Sequence, residues 1–213
     1  MKRQIKIIGD SIAAGQGASD FRETDQVLME YDTVRYFRCE APSSWWGLLE
    51  AAGYSVKNCG CCGAYSYQMR EQLEHFVEPE DEVVLVLLGL NDRKRPGGMA
   101  ELEENMTYIV EKIRDLGKCP IILTPLPSTY ENEHKESRIC HTDQVVEVLR
   151  KVADRTKADC IDNYGFITKY LQDNSLVIED IILGPGCEND GLHPADRAQK
   201  LIFEHVKNSR RLL

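Results

Sequence analysis

The sequence predicts an α/β sandwich, a parallel β-sheet with helices on both faces. Three observations carry that reading. Strand-like and helix-like stretches alternate along the chain, the pattern of successive crossover units. Val83-Val84-Leu85-Val86-Leu87-Leu88 is a continuous apolar run, as expected of a central parallel strand covered on both sides. The chain also opens with a short apolar run, Gln4-Ile5-Lys6-Ile7-Ile8, which breaks at Gly9 and delivers Asp10-Ser11 to the first turn of a helix.

Composition narrows the class. A chain of 213 residues suits one domain spanning 1–213, long enough to bury roughly 70% of its unfolded surface around one core. The net charge of −9 argues against a nucleic-acid or anionic-membrane partner, because both require Lys and Arg in excess. Lys2 and Arg3 precede an apolar stretch too short for a signal peptide, and no run approaches the ~18 apolar residues of a membrane span. The expectation is a cytoplasmic protein. Eight cysteines fit that compartment as free thiols, since a chain of this size needs no disulfides to hold a core. Cys59, Cys61 and Cys62 form a C-x-C-C cluster, but no second ligand pair follows at zinc spacing, so no metal is expected.

The elements follow in order. After the opening strand and turn, residues 18–41 lack clean periodicity and read as a long insertion with a short helix, or as a flap over the site. Pro42-Ser43-Ser44 caps a helix with Trp45, Trp46, Leu48, Leu49 and Ala52 on its apolar side, stopped by Gly53. One of the two tryptophans is expected in the core; the other is a candidate platform for a sugar. Residues 54–58 form the second strand, ending in the glycine turn 58–63, and Ser66 caps a helix carrying Met69, Leu73, Phe76 and Val77. The run at 83–88 ends in Gly89-Leu90-Asn91-Asp92 and the basic tract Arg93-Lys94-Arg95, read as a solvated loop. Leu102, Met106, Ile109, Ile113 and Leu116 mark the clearest helix, closed by Gly117. A fourth strand at 121–124 leads to a polar loop, 125–141, and a helix capped by Thr142 or Asp143. A fifth strand lies at 158–161. A turn at 189–194 precedes a last helix built on Ala198, Leu201, Ile202 and Val206.

In such folds the ligand site lies beyond the carboxyl ends of the strands. Ser11, the 58–63 turn and Asn91 all fall there, while Asp190 and His193 lie on the loop before the last helix. A serine at a strand-to-helix turn reads two ways, as a cap for an orphan amide or as a nucleophile. Acyl transfer needs a base, a carboxylate to orient it, and donors for the oxyanion. The spacing Asp190-x-x-His193 brings a carboxylate to one imidazole nitrogen and leaves the other free to face Ser11. Gly63 can present a bare backbone N–H, and Asn91 offers an amide donor without a competing charge. Asp10 and Asp92 read as structural, their carboxylates taking turn amides.

Gly9-Asp10-Ser11, Gly63 five residues after Asn58, Gly89-Leu90-Asn91-Asp92 and Asp190-Gly191-Leu192-His193-Pro194 resemble, in order, the four blocks of the SGNH hydrolases, also called GDSL esterases or lipases. The first block reads G-D-S-I rather than G-D-S-L, an apolar exchange. The resemblance implies a flavodoxin-like three-layer α/β/α sandwich with five parallel strands in the order 2-1-3-4-5. It implies Ser11 as nucleophile in a triad with Asp190 and His193. The oxyanion hole it implies comprises the Ser11 and Gly63 amides and the Asn91 side chain, with Gly60 an alternative donor. The expected activity is a cofactor-free serine esterase acting on short acyl esters of small molecules, acetyl esters of carbohydrates foremost. A lysophospholipase or thioesterase of the same fold, or a catalytically silent carbohydrate-binding protein, are the alternatives. A mononucleotide-binding module would share the fold, but neither a P-loop nor G-x-G-x-x-G is present.

Overall fold

Alternate residues of the opening and central strands face opposite sides of a sheet and are buried on both, which fixes a three-layer architecture. The computed structural model describes residues 3–209 and Leu212. Its strands are β1 (Gln4–Gly9), β2 (Arg22–Tyr31), β3 (Val34–Glu40), β4 (Ser55–Gly60), β5 (Val83–Leu87), β6 (Cys119–Leu123) and β7 (Asp159–Ile161). Its helices are α1 (Ser11–Ala14), α2 (Trp45–Ala51), α3 (Ser66–Glu71), α4 (Leu73–Phe76), α5 (Gly98–Asp115), α6 (Tyr130–Glu133), α7 (Thr142–Thr156), α8 (Asn163–Asp173), α9 (Glu179–Ile182) and α10 (Asp196–Lys207).

Five strands form one parallel sheet in the order β4-β1-β5-β6-β7. Numbered along the chain within that sheet, the order is 2-1-3-4-5, as the resemblance implied. Val83, Leu85 and Leu87 point into one core with α2, α8 and α10, through Trp45, Leu49, Ile167 and Ile202. Val84 and Val86, with Leu88 just beyond the strand, point into the other core with α3, α5 and α7, through Met69, Ile109 and Leu149. Two-sided burial is why the run carries no polar alternation. Lys6 is the exception on β1. Its ammonium is buried but ion-paired with Glu78 at 2.6 Å and Asp81 at 3.4 Å, so the charge is neutralised where it enters the protein.

The 18–41 segment contains no helix. It is an antiparallel hairpin, β2 with β3, interrupted by register shifts between Glu23 and Met29. Met29 and Tyr36 anchor it in the core shared with α3 and α5, and the Tyr36 hydroxyl donates to Gln68 Oε1 at 2.8 Å. Most of its other side chains meet solvent, which is why no apolar period shows. Smaller corrections concern the caps. Tyr65 and His141, not Ser66 and Thr142 or Asp143, occupy the N-cap positions of α3 and α7.

Both tryptophans are buried, which removes the sugar-platform reading. Their indole N–H groups donate to Ile12 O and Ala14 O, each at 3.0 Å, so α2 grips the backbone of α1. Gly9 allows α1 to sit against the sheet: a Cβ there would meet Leu87 O at 2.1 Å. Among the described residues no helix is long and apolar enough to cross a membrane.

Candidate active site

The turn after β1 places Ser11 at the carboxyl edge of the sheet. Asp10, not Ser11, is the N-cap of α1, its Oδ1 accepting from Ile12 N at 3.0 Å. The capping reading of Ser11 is therefore corrected, and its hydroxyl is left for another partner. Burial pushes the Asp10 carboxyl up to about 6, against the opposing pull of the Ile12 amide. Asp10 thus has the structural role expected of it.

Ser11 Oγ lies 2.9 Å from His193 Nε2. His193 Nδ1 lies 3.0 Å from Asp190 Oδ2, while Asp190 Oδ1 accepts the amides of Leu192 at 2.8 Å and His193 at 2.9 Å. One carboxylate thus shapes the turn and orients the ring carried by that turn. Burial opposes ionisation of Asp190, but the hydrogen bond and charge of His193 and the two amides outweigh it. They hold the carboxyl well below the usual carboxylate range.

Asn91 and Gly63 face the same cavity, of about 250 Å³, lined by Ser11, Leu90, Asp190 and His193 among others. Gly63 has φ +84°, a left-handed conformation that side chains disfavour, although open space lies where its Cβ would be. The glycine is demanded by backbone shape, not by crowding. Asn91 Nδ2 donates to Ala64 O at 3.0 Å, and its Oδ1 accepts from Lys94 Nζ at 2.6 Å. Because an ammonium can only donate, this pairing settles which end of the amide is oxygen. The remaining Nδ2 hydrogen is free of both bonds. Asp92 joins the two loops: it accepts from Ser66 Oγ at 2.6 Å and from the Ser66 amide, tying the start of α3 to the end of β5. The Gly60 amide is already used within its own turn, donating to Asn58 Oδ1 at 2.9 Å, which leaves Gly63 as the glycine facing the cavity.

The basic tract is not a solvated loop. Arg93 is fully buried and its guanidinium binds Glu133 at 2.9 Å, Thr142 Oγ1 at 2.6 Å and Asn132 Oδ1 at 3.1 Å. Asn132 in turn donates to Asp190 O at 3.1 Å, and Thr129 N donates to Gly191 O at 2.9 Å. The 125–141 loop therefore braces the Asp190 turn. Burial would raise the Glu133 carboxyl, but hydrogen bonds from Ser128 and Thr142 and the Arg93 charge bring it down to about 2. Arg93→Met, which strands Glu133, is expected to cost about 3 kcal/mol in a urea melt. Adding Glu133→Leu should recover part of that loss, and an Arg93→Met protein of unchanged stability would refute the brace.

Two further residues bear on the site. Gln199 on α10 is fully buried; it donates to Pro194 O at 2.9 Å and accepts from Trp45 N at 3.0 Å, clamping the His193 loop to α2. It sits on the apolar stripe running through Ala195, Ile202 and Val206, and a lone polar residue on that stripe is the signal that identifies it. Glu188 is the second, with Oε2 3.4 Å from His193 Nδ1 and accepting from Gln16 Nε2 at 2.8 Å. No periodic pattern surrounds it. The hairpin, expected to shape the pocket, supplies none of the cavity's lining, whereas the 125–141 loop supplies Arg138. A larger depression of about 730 Å³ lies between the amino ends of β5, β6 and β7, with no nucleophile–base pair in its wall.

A three-layer α/β/α sandwich with hydroxyl, imidazole and carboxylate in series at the carboxyl edge of its sheet defines a class, the ester hydrolases of this fold. The chain belongs to the GDSL-like lipase/acylhydrolase family, whose profile it matches over residues 7–201. No curated protein matches the chain in sequence. Solved structures share the fold. One is a member of the lipolytic G-D-S-L family from Veillonella parvula DSM 2008, with 17% identity, TM-score 0.68, and coverage of 99% of this chain and 100% of that one. Another is a lipase/acylhydrolase from Enterococcus faecalis, with 22% identity, TM-score 0.66, and coverage of 96% and 93%. A third is a catalytic mutant, serine to alanine, of an acetylxylan esterase from Geobacillus stearothermophilus, with 19% identity, TM-score 0.67, and coverage of 100% and 95%.

Proposed function

We propose that the protein is a serine esterase that removes short acyl groups, acetyl foremost, from small-molecule esters through an acyl-enzyme. The observation that carries this reading is the unbroken series Ser11 Oγ, His193 Nε2, His193 Nδ1, Asp190 Oδ2, with steps of 2.9 and 3.0 Å at its two ends. His193 takes the Ser11 proton as Oγ attacks the ester carbonyl, and Asp190 stabilises the imidazolium that forms. The amides of Ser11 and Gly63 and the free Nδ2 hydrogen of Asn91 receive the tetrahedral oxyanion. His193 then returns the proton to the leaving alcohol and activates the water that cleaves the acyl-enzyme. No cofactor or metal enters these steps.

The preference for short acyl groups rests on the 250 Å³ cavity, smaller than the ~300–1,000 Å³ of pockets that enclose drug-sized ligands. Carbohydrate acetates are the favoured substrates, in keeping with the acetylxylan esterase that shares the fold. A series of p-nitrophenyl esters tests the reading. Acetate should turn over fastest, with kcat/KM falling as the acyl chain lengthens beyond four carbons. Preference for long chains would overturn the short-acyl assignment, and no hydrolysis of any ester would overturn the enzymatic one.

A further inference from the structure

Two cations share the cavity wall with Ser11. Lys94 comes from the single turn Asp92–Lys94 that follows Asn91, and Arg138 from the segment after α6. Both are partly buried, and neither has an ion-pairing carboxylate among the described residues. Lys94 Nζ bonds the neutral Asn91 amide. Arg138 makes one long contact, 3.4 Å to Asn132 Oδ1, and its Nε is buried with no hydrogen-bond partner. Other cations of this acidic chain, among them Arg22, Arg70, Arg93, Lys112, Arg150 and Lys151, pair with a carboxylate, while Arg114 and Lys118 bond backbone carbonyls; Lys94 and Arg138 are the two that share the wall of the Ser11 cavity.

Such an arrangement is costly for the protein by itself. Burial pulls both groups below their ordinary pKa range, and a cationic neighbour adds to the effect, Arg138 on Lys94 and Arg93 on Arg138. The nearest carboxylates do not discharge the pair. Glu133, which acts on Arg138, is engaged by Arg93, Ser128 and Thr142; Asp190 is engaged by His193 and two amides, and Asp10 caps α1 through its Oδ1. An anionic group entering the cavity would satisfy both cations at once, with the planar guanidinium matching the oxygens of a carboxylate or phosphate.

We propose that Lys94 and Arg138 form an anion subsite beside Ser11, selecting ester substrates that carry a carboxylate or phosphate group. The proposal rests on the acyl-transfer reading and adds the charge of the molecule being deacylated. The volume of the cavity requires the anion to lie close to the scissile ester. Lys94 acts twice, as a subsite cation and as the positioning residue for Asn91.

Matched pairs of esters that differ only in charge test it. The first pair is 3-acetoxybenzoate against its methyl ester, with the anion on the alcohol side. The second is mono-p-nitrophenyl succinate against its methyl ester, with the anion on the acyl side. The third is 2-acetoxyethyl phosphate against 2-acetoxyethanol, for phosphate. In at least one pair the anionic member should be favoured in kcat/KM by about tenfold or more, fading at high ionic strength. In Arg138→Gln that ratio should collapse toward one. The ratio is taken within each variant, so a loss of folded enzyme cancels. Lys135→Gln, a change at an exposed lysine of the same loop, should leave the ratio intact.

The neutral members report on the acyl-transfer reading separately. Their hydrolysis with no anionic preference in any pair would overturn the subsite alone. Should none of the esters react, calorimetric titration with benzoate and with inorganic phosphate decides. Binding that is lost in Arg138→Gln supports the subsite, and absence of binding overturns it.

Discussion

Ser11→Ala is expected to lower kcat by about 10⁴- to 10⁶-fold for every ester the protein hydrolyses, the cost of removing a nucleophile whose partners act as a unit. The change removes one oxygen from a buried position, and among the hydrogen bonds it deletes is the one to His193. A stable, inactive protein is the expected product. Adding His193→Ala should cost little more, because base and nucleophile serve one step. Labelling by a fluorophosphonate, read by intact mass, should occur once per wild-type chain and be absent from Ser11→Ala. Labelling that survived the substitution would place the nucleophile elsewhere.

Asp190→Asn should cost about 10⁴-fold in kcat with little change in KM, and the reason lies in the double duty of that carboxylate. Its Oδ1 accepts two backbone amides, from Leu192 and His193, so the asparagine must keep its oxygen there. Its NH₂ then faces His193 Nδ1 as a donor. The imidazole must answer as an acceptor at Nδ1, which moves its proton to Nε2, toward Ser11. A ring that donates to the serine cannot deprotonate it. The turn survives and the base is lost. A variant retaining more than a tenth of wild-type kcat would mean that Asp190 only shapes the loop, with Glu188 as the other carboxylate near Nδ1.

Much of this site was readable from the sequence because each block is a local turn whose residues determine its shape. Gly9-Asp10-Ser11 and Asp190-x-x-His193 each hold their geometry within a few residues, through the Asp10 cap and the Asp190 amide bonds. The Val83–Leu88 run was readable for the opposite reason, since burial on both faces leaves no polar alternation to misread. What escaped was set by distant partners. Arg93 looks like any surface arginine until Glu133, Asn132 and Thr142, 39 to 49 residues away in sequence, close around it. Lys94 and Arg138 share a wall only because two loops fold toward each other. The hairpin was illegible because β2 buries just one of its ten side chains fully, Met29, so neither period 2 nor 3.6 appears.

The grip of α2 on α1 has a spectroscopic consequence. The chain has two tryptophans, and both indoles donate to carbonyls of the single turn that carries Ser11. Emission excited at the red edge, where the nine tyrosines absorb little, is therefore a built-in gauge of that turn. Loosening of the turn that carries Ser11 would register as a red shift in unlabelled protein, even while the far side of the sheet stays folded.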